Sequence, residues 1–132
     1  MSQQNVDVVR SIYDAFESGD VDEVLDSLSE DVVAFVADGL PWSGTFHGRE
    51  GFRKLLDAVE GQVQLAFETD EFIDAGEDVA QIGHGVGEVH VSGKRFNVRE
   101  IHIWGVHDGK VVSFREYSDT AEQRRSLGFG GE

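Results

Sequence analysis

The sequence predicts an α+β domain in which a curved antiparallel sheet forms a cone, with three N-terminal helices packed on its concave face. Three observations lead to it. Apolar residues recur at helical spacing through most of the first half, then switch to strict alternation from Val63 onward. Two X-Gly pairs, Ser92-Gly93 and Asp108-Gly109, each lie between a pair of strand-like runs and so mark successive two-residue hairpins. The runs Val79 to Val91 and Phe96 to Val106 are long for a 132-residue chain. Such strands curl, and a curled sheet under helices leaves a conical cavity suited to a small molecule.

The elements follow in order. Val6, Val9, Ile12, Tyr13 and Phe16 lie on one helix face, and Ser18-Gly19 ends that helix, because glycine adopts the left-handed terminal conformation cheaply. Asp20 caps a short second helix, with Glu23 completing a capping-box pattern and Val21, Val24, Leu25 and Leu28 as its apolar side. Val32 to Asp38 reads as a short buried strand, followed by a loop holding Gly39, Pro41, Trp42 and Gly44. Phe52, Leu55, Leu56 and Val59 mark a third helix from about Arg49 to Gly61. Four strands then meander through Val63–Ile73, Val79–Val91, Phe96–Val106 and Val111–Tyr117. From Asp119 the chain has one helical turn and then a frayed tail over 123–132.

Composition narrows the function. Hydrophobic residues at 39% exclude a disordered chain, and no apolar run reaches the ~18 residues that span a bilayer. MSQQNVDVVR has no basic-then-apolar leader, so a cytoplasmic protein without membrane contact is expected. The absence of cysteine excludes disulfides and thiolate chemistry. The net charge of −15 repels phosphate backbones and excludes nucleic acid as a partner. With Asp as half the acids and only Lys54, Lys94 and Lys110 as lysines, two readings stand: adaptation to a salt-rich cytoplasm, or an ordinary acidic protein.

SIYDAFESGDVDEVLDSLSEDV, GTFHGREGFRKLL and HIWGVHDGKVVSFREYSDTA together resemble the SnoaL-like branch of the nuclear transport factor two-like superfamily. That superfamily also holds ketosteroid isomerases, limonene epoxide hydrolase and polyketide cyclases. The resemblance covers residues 4–122 and implies one domain over 1–132, with the cystatin-like α+β barrel fold. It implies fold more than chemistry, since unrelated activities share this scaffold.

On the strand Phe96 to Val106, one face carries Phe96, Val98, Glu100, His102 and Trp104. Set against the isomerases from the Asp108-Gly109 turn, His102 falls where that family places an oxyanion-stabilising carboxylic acid. His102 is therefore a candidate acid, base or hydrogen-bond donor, or else a core histidine satisfied by Glu100. Phe114-Arg115-Glu116-Tyr117 resembles the epoxide hydrolase segment that turns a carboxylate into the pocket. Glu116 is accordingly the second candidate, or a buried partner of Arg99 or Arg115. The isomerase base matches nearest to Val36, with Asp38 two residues on as its substitute; the isomerase tyrosine matches nearer Ile12 than Tyr13. Gly83-His84-Gly85 stand where the epoxide hydrolase carries its Arg and Asp, so that triad is not assembled.

The expected site thus has His102, Glu116 and Asp38 as catalytic groups, with Tyr13, Glu100, Trp104, Trp42, Val36 and Phe35 lining it. No metal or cofactor is expected: the five histidines lack ligand spacing, and GHGVG is not a dinucleotide fingerprint. Gly83, Gly85 and Gly87 either allow sharp curvature or make room for a flat ligand. Two functions follow. One is a cofactor-independent isomerase, cyclase or hydrolase of a small apolar carbonyl compound; the other is a non-catalytic ligand-binding or dimerisation module. Convergence of the polar groups favours the first, and a cavity closed by Phe35, Trp42, Phe114 and Trp104 the second. The outer sheet face, with Asn97, Ile101, Ile103 and Val112 or Ser113, is expected to pair two chains.

Overall fold

The computed structural model describes residues 2–129. Helices α1 (Ser2–Ser18) and α2 (Val21–Asp26) lead into β1 (Leu28–Val36) and the short β2 (Gly44–His47); α3 (Gly48–Glu60) follows. Then come β3 (Val63–Ala75), β4 (Asp78–Val89), β5 (Arg95–His107), β6 (Lys110–Ser118) and α4 (Thr120–Ser126). The six strands form one curved, unclosed sheet in the order β2-β1-β6-β5-β4-β3. The α+β class is as expected.

The helical face of α1 buries Val6, Val9, Ile12 and Ala15, and α3 buries Phe52 and Leu55. Asp20 caps α2 by accepting from the Glu23 amide at 3.1 Å. Between helices and sheet lies an aromatic core: Trp104 and Phe114 ring centres are 4.5 Å apart, and Phe52 is 5.7 Å from Phe114. Each such side chain contributes roughly 1.5–3 kcal/mol by leaving water. Along β5 the alternation is clean, with Phe96, Val98, Glu100, His102 and Trp104 buried and Arg95, Asn97, Arg99 and Ile101 exposed.

Curvature has a visible cause. Asp70 is an extra residue in β3, between Thr69 paired with Gly83 and Glu71 paired with Ile82, and such a bulge sharpens the local twist. A side chain at Gly83 would strike the Glu68 carbonyl oxygen, and one at Gly87 the Gln64 carbonyl oxygen. These two glycines let β3 pack tightly against β4, so they serve curvature.

Four details depart from the sequence expectation. β1 pairs with β6 in parallel, the one parallel pair of the five in this sheet. β2 was not expected, because four partly exposed residues at an edge carry too little alternation to be seen. The β4–β5 turn is longer than Ser92-Gly93 alone: the Val89 amide donates to the Lys94 carbonyl and, inside that, the Gly93 amide donates to the Val89 carbonyl, whereas Asp108 (φ 51°) and Gly109 (φ 78°) do form a tight two-residue turn. The tail is not frayed from 123. Helix α4, capped by Asp119, buries Gln123 and Ser126, which bond to each other at 2.9 Å; residues 130–132 lie outside the described ones.

Candidate functional site

The polar centre of the concave face is His102. Strand pairing sets Gln81 on β4, His102 on β5 and Glu116 on β6 side by side, with Glu100 one step along β5. Tyr13 reaches them from the buried face of α1. Its Oη lies 2.6 Å from His102 Nδ1 and accepts from Trp104 Nε1 at 2.9 Å. His102 Nε2 lies 3.0 Å from Glu116 Oε2 and 3.4 Å from Glu100 Oε1.

Donor and acceptor inventory assigns the protons. Indole N–H can only donate, so Tyr13 Oη accepts from it and has its own proton to give. With neutral His102 that proton goes to Nδ1, which leaves the imidazole hydrogen on Nε2 pointing at Glu116. Burial works against a charge on His102, but the hydrogen bond and charge of Glu116, with Glu100 behind, outweigh it and hold the pKa above the usual 6.5. Burial raises Glu100 above 4.5, only partly offset by the His102 charge and the Gln81 amide. Burial likewise lifts the Tyr13 phenol well above 10.0, so it stays protonated.

When His102 takes a second proton, Nδ1–H donates to Tyr13 Oη, which then accepts twice. Its O–H must turn elsewhere. The space available is a groove of about 500 Å³ between α1 and β3, lined by Arg10, Tyr13, Asp14, Phe16, Glu17, Leu65, Phe67, Thr69 and Phe72. His102 itself is 1% exposed and does not line it. Phe67 stands edge-on to His102 at 4.9 Å between ring centres and forms part of the wall. The wide cone expected from the sequence is mostly filled by aromatic side chains, and this groove is what remains of it beside Tyr13.

The structure brings together His102, Glu116, Glu100, Tyr13 and Trp104. It leaves out three. Asp38 is exposed beyond the end of β1 and makes none of these contacts. Phe35 points to the outer face, 6.0 Å from Tyr117, because Val32–Val36 is apolar throughout and carries no alternation from which to read a face. Trp42 is buried in the core under the loop after β1. Val36 is buried and is the strand partner of Glu116, so it backs the site without a polar role. Arg99 and Arg115 face outward, Arg115 towards Asp78 at 4.0 Å, so neither pairs with Glu116. Gln81, Thr69, Phe67 and Phe72 were not expected. Gln81 had a signal, as a polar residue in phase with buried Val79 on an otherwise apolar strand face. Among the described residues no group of three or more His, Asp or Glu is arranged to hold a metal, and no helix is long and apolar enough to cross a membrane.

A six-stranded curved sheet with helices on its concave face is the nuclear transport factor two-like architecture, and solved structures of that class superpose closely. A protein of unknown function from Burkholderia pseudomallei K96243 is 30% identical, with a TM-score of 0.88 over 94% of this chain and 97% of that one. TerC, crystallised with polyporic acid, is 22% identical with a TM-score of 0.87 over 95% and 98%. A putative SnoaL-like polyketide cyclase from Jannaschia sp. CCS1 is 18% identical with a TM-score of 0.82 over 96% and 93%. The family model of the SnoaL-like domain matches residues 9–114, and the chain belongs to that family. No curated protein matches it in sequence.

Proposed function

We propose that this SnoaL-like domain binds a small apolar carbonyl compound in the α1–β3 groove and moves protons on it without a cofactor, as an isomerase, cyclase or hydrolase does. The observation that carries this is the unbroken chain Trp104–Tyr13–His102–Glu116, which meets the groove at Tyr13, a phenol held protonated. With His102 charged, the Tyr13 O–H donates to the carbonyl oxygen as negative charge develops there. Glu17, on the groove rim four residues after Tyr13 and so on the same helix side, takes the α-proton in place of Asp38. Glu116 and Glu100 keep the imidazole charged. The ligand named with TerC supports a small-molecule role for the fold, at an identity that carries no more than fold.

The test is deuterium exchange at the α-carbon of 2-tetralone, followed by NMR. The domain should accelerate exchange, and Tyr13→Phe should cut the rate by about 100-fold, the size of one lost oxyanion donor. If 2-tetralone binds but exchanges no faster than in buffer, the non-catalytic binding module is the right description.

The chain should also work as a cytoplasmic homodimer. Val33, Ile73, Ile101, Val112 and Tyr117 lie exposed on the outer sheet face, Ile101 at 40% and Tyr117 at 42%. Arg99 on β5, and Glu68 and Glu71 on β3 at the other side of this patch, would complement one another across a two-fold axis.

A further inference from the structure

Tyr13 is joined in the groove by a second hydroxyl, that of Thr69 on β3. The extra residue Asp70 shifts the phase of this strand, so that Phe67, Thr69 and Phe72 all line the groove. Thr69 Oγ1 accepts from Gln81 Nε2 at 2.9 Å. Strand register fixes this arrangement. Gly83 on β4 is paired with Thr69 on one side and Glu100 on the other, and a side chain at Gly83 would come within 2.9 Å of Gln81 Nε2. The amide of fully buried Gln81 therefore lies over the bare Gly83 backbone, between the hydroxyl and the carboxylate. Glu100 faces this amide, repels its oxygen and attracts its N–H end. An amide nitrogen only donates, and its two hydrogens serve the two neighbours. Thr69 thus accepts from Gln81 and keeps its own proton, which no acceptor takes up among the described residues. Tyr13 is built the same way: its Oη accepts from Trp104 Nε1, and its O–H turns to the groove once His102 is charged.

We propose that Thr69 determines the specificity of the groove: its O–H donates to a second oxygen of the ligand, so the site selects carbonyl compounds with two acceptor oxygens over those with one. This rests on the groove being the binding site proposed above, and it narrows the class of compound bound there. The other walls around Thr69 are apolar, with Phe16, Leu65, Phe67 and Phe72 among them. A ligand body packed on these rings displaces water from the Thr69 hydroxyl. A ketone whose one oxygen is held by Tyr13 leaves that hydroxyl without an acceptor, and an unmade bond of this kind costs affinity. A second oxygen on the ligand restores it. Gln81 and Glu100 act through Thr69: they occupy its lone pair and so fix it as a donor.

Isothermal titration calorimetry on the full chain at about pH 6, where His102 is charged, tests this with three probes of one carbon skeleton. These are 1-phenyl-1,3-butanedione, 4-phenyl-2-butanone and 1-phenyl-1-butanone; each monoketone lacks one of the dione's two oxygens. The dione should bind at least about fivefold more tightly than either monoketone, the size of one hydrogen bond between neutral groups. Thr69→Val should shrink that preference to about twofold or less, and Thr69→Ser, which keeps the hydroxyl, should retain it. Thr69→Ala serves as the deletion if the valine variant folds poorly, and the comparison among probes needs only the unaltered protein. Equal affinity for the dione and a monoketone overturns the role of Thr69 and leaves the groove standing as the binding site. A preference that survives in Thr69→Val also overturns it. An equal loss for all three probes in that variant places Thr69 on the same oxygen as Tyr13 and contradicts the proposal. If no probe binds, the groove reading fails and Thr69 with it, whereas failure of 2-tetralone exchange alone removes only the chemistry.

Discussion

Two histidines on opposite faces of one sheet make the same kind of contacts and do different things. His84, on the outer face of β4, has Nδ1 2.7 Å from Asn97 Oδ1 and Nε2 3.5 Å from Asp70. His102, on the inner face of β5, has a phenol at one nitrogen and two carboxylates at the other. The His84 side chain is 25% exposed, against 2% for His102. The first is open to solvent. Around the second every proton must be supplied by a neighbour, and a change at one atom forces changes along the chain to Tyr13. Burial, more than residue type, turns a carboxylate–histidine contact into a proton-handling device.

The largest expected difference is in stability. His102→Ala leaves Glu116 and Glu100 facing each other without a counter-charge, and should lower the unfolding free energy by about 3 kcal/mol. His84→Ala should cost less than about 0.5 kcal/mol, as surface contacts do. Urea denaturation of both variants measures the gap, and equal losses would break the comparison.

A smaller effect is pH dependence. The folded-state values of His102 and Glu100 are both raised. The His102 contribution is therefore fully present below pH 6.5 and is lost as pH rises through its raised folded value. The Glu100 contribution is present below 4.5 and is likewise lost as pH rises through its own raised value. Glu100→Gln removes the second loss, so its stability relative to the unaltered protein should improve steadily from pH 4 to pH 8, by roughly 1.4 kcal/mol for each unit of raised pKa. Paired denaturation curves across that range check it; a constant difference contradicts it.

On the outer face the expected effects are smaller in energy per site. Ile101→Lys places a charge in the exposed apolar patch and should weaken self-association by about tenfold or more in sedimentation equilibrium. Salt supplies the mildest test. Screening of the −15 charge should raise Tm by a few degrees between low and about molar salt, where the Debye length falls to roughly 3 Å.

Local pattern made much of this legible. The spacing of Val6, Val9 and Ile12 gave α1 and its buried face, and Asp108-Gly109 gave a tight turn from which the strand phases could be counted. Alternation along Phe96–Trp104 put Glu100 and His102 on the core side. What stayed hidden depends on distant contacts or on missing alternation. Parallel pairing of β1 with β6 joins segments about eighty residues apart, which no local pattern encodes. The uniform Val32–Val36 run concealed the outward turn of Phe35. Gln123 and Ser126 look like a solvated tail until they are seen to satisfy each other. The Tyr13–His102 bond spans 89 positions, so the chemistry of the site became visible only when α1 was laid across the sheet.

The direct test of the proton chain is a ¹⁵N NMR titration of the His102 imidazole in the unaltered protein, assigned by comparison with His102→Gln. Neutral His102 should carry its hydrogen on Nε2, with Nδ1 accepting from Tyr13, and should gain its second proton at a pH above 6.5. In Tyr13→Phe the same ring should lose the Nδ1 signature of a hydrogen-bond acceptor. A neutral ring protonated on Nδ1, or titration below 6.5, would contradict the account.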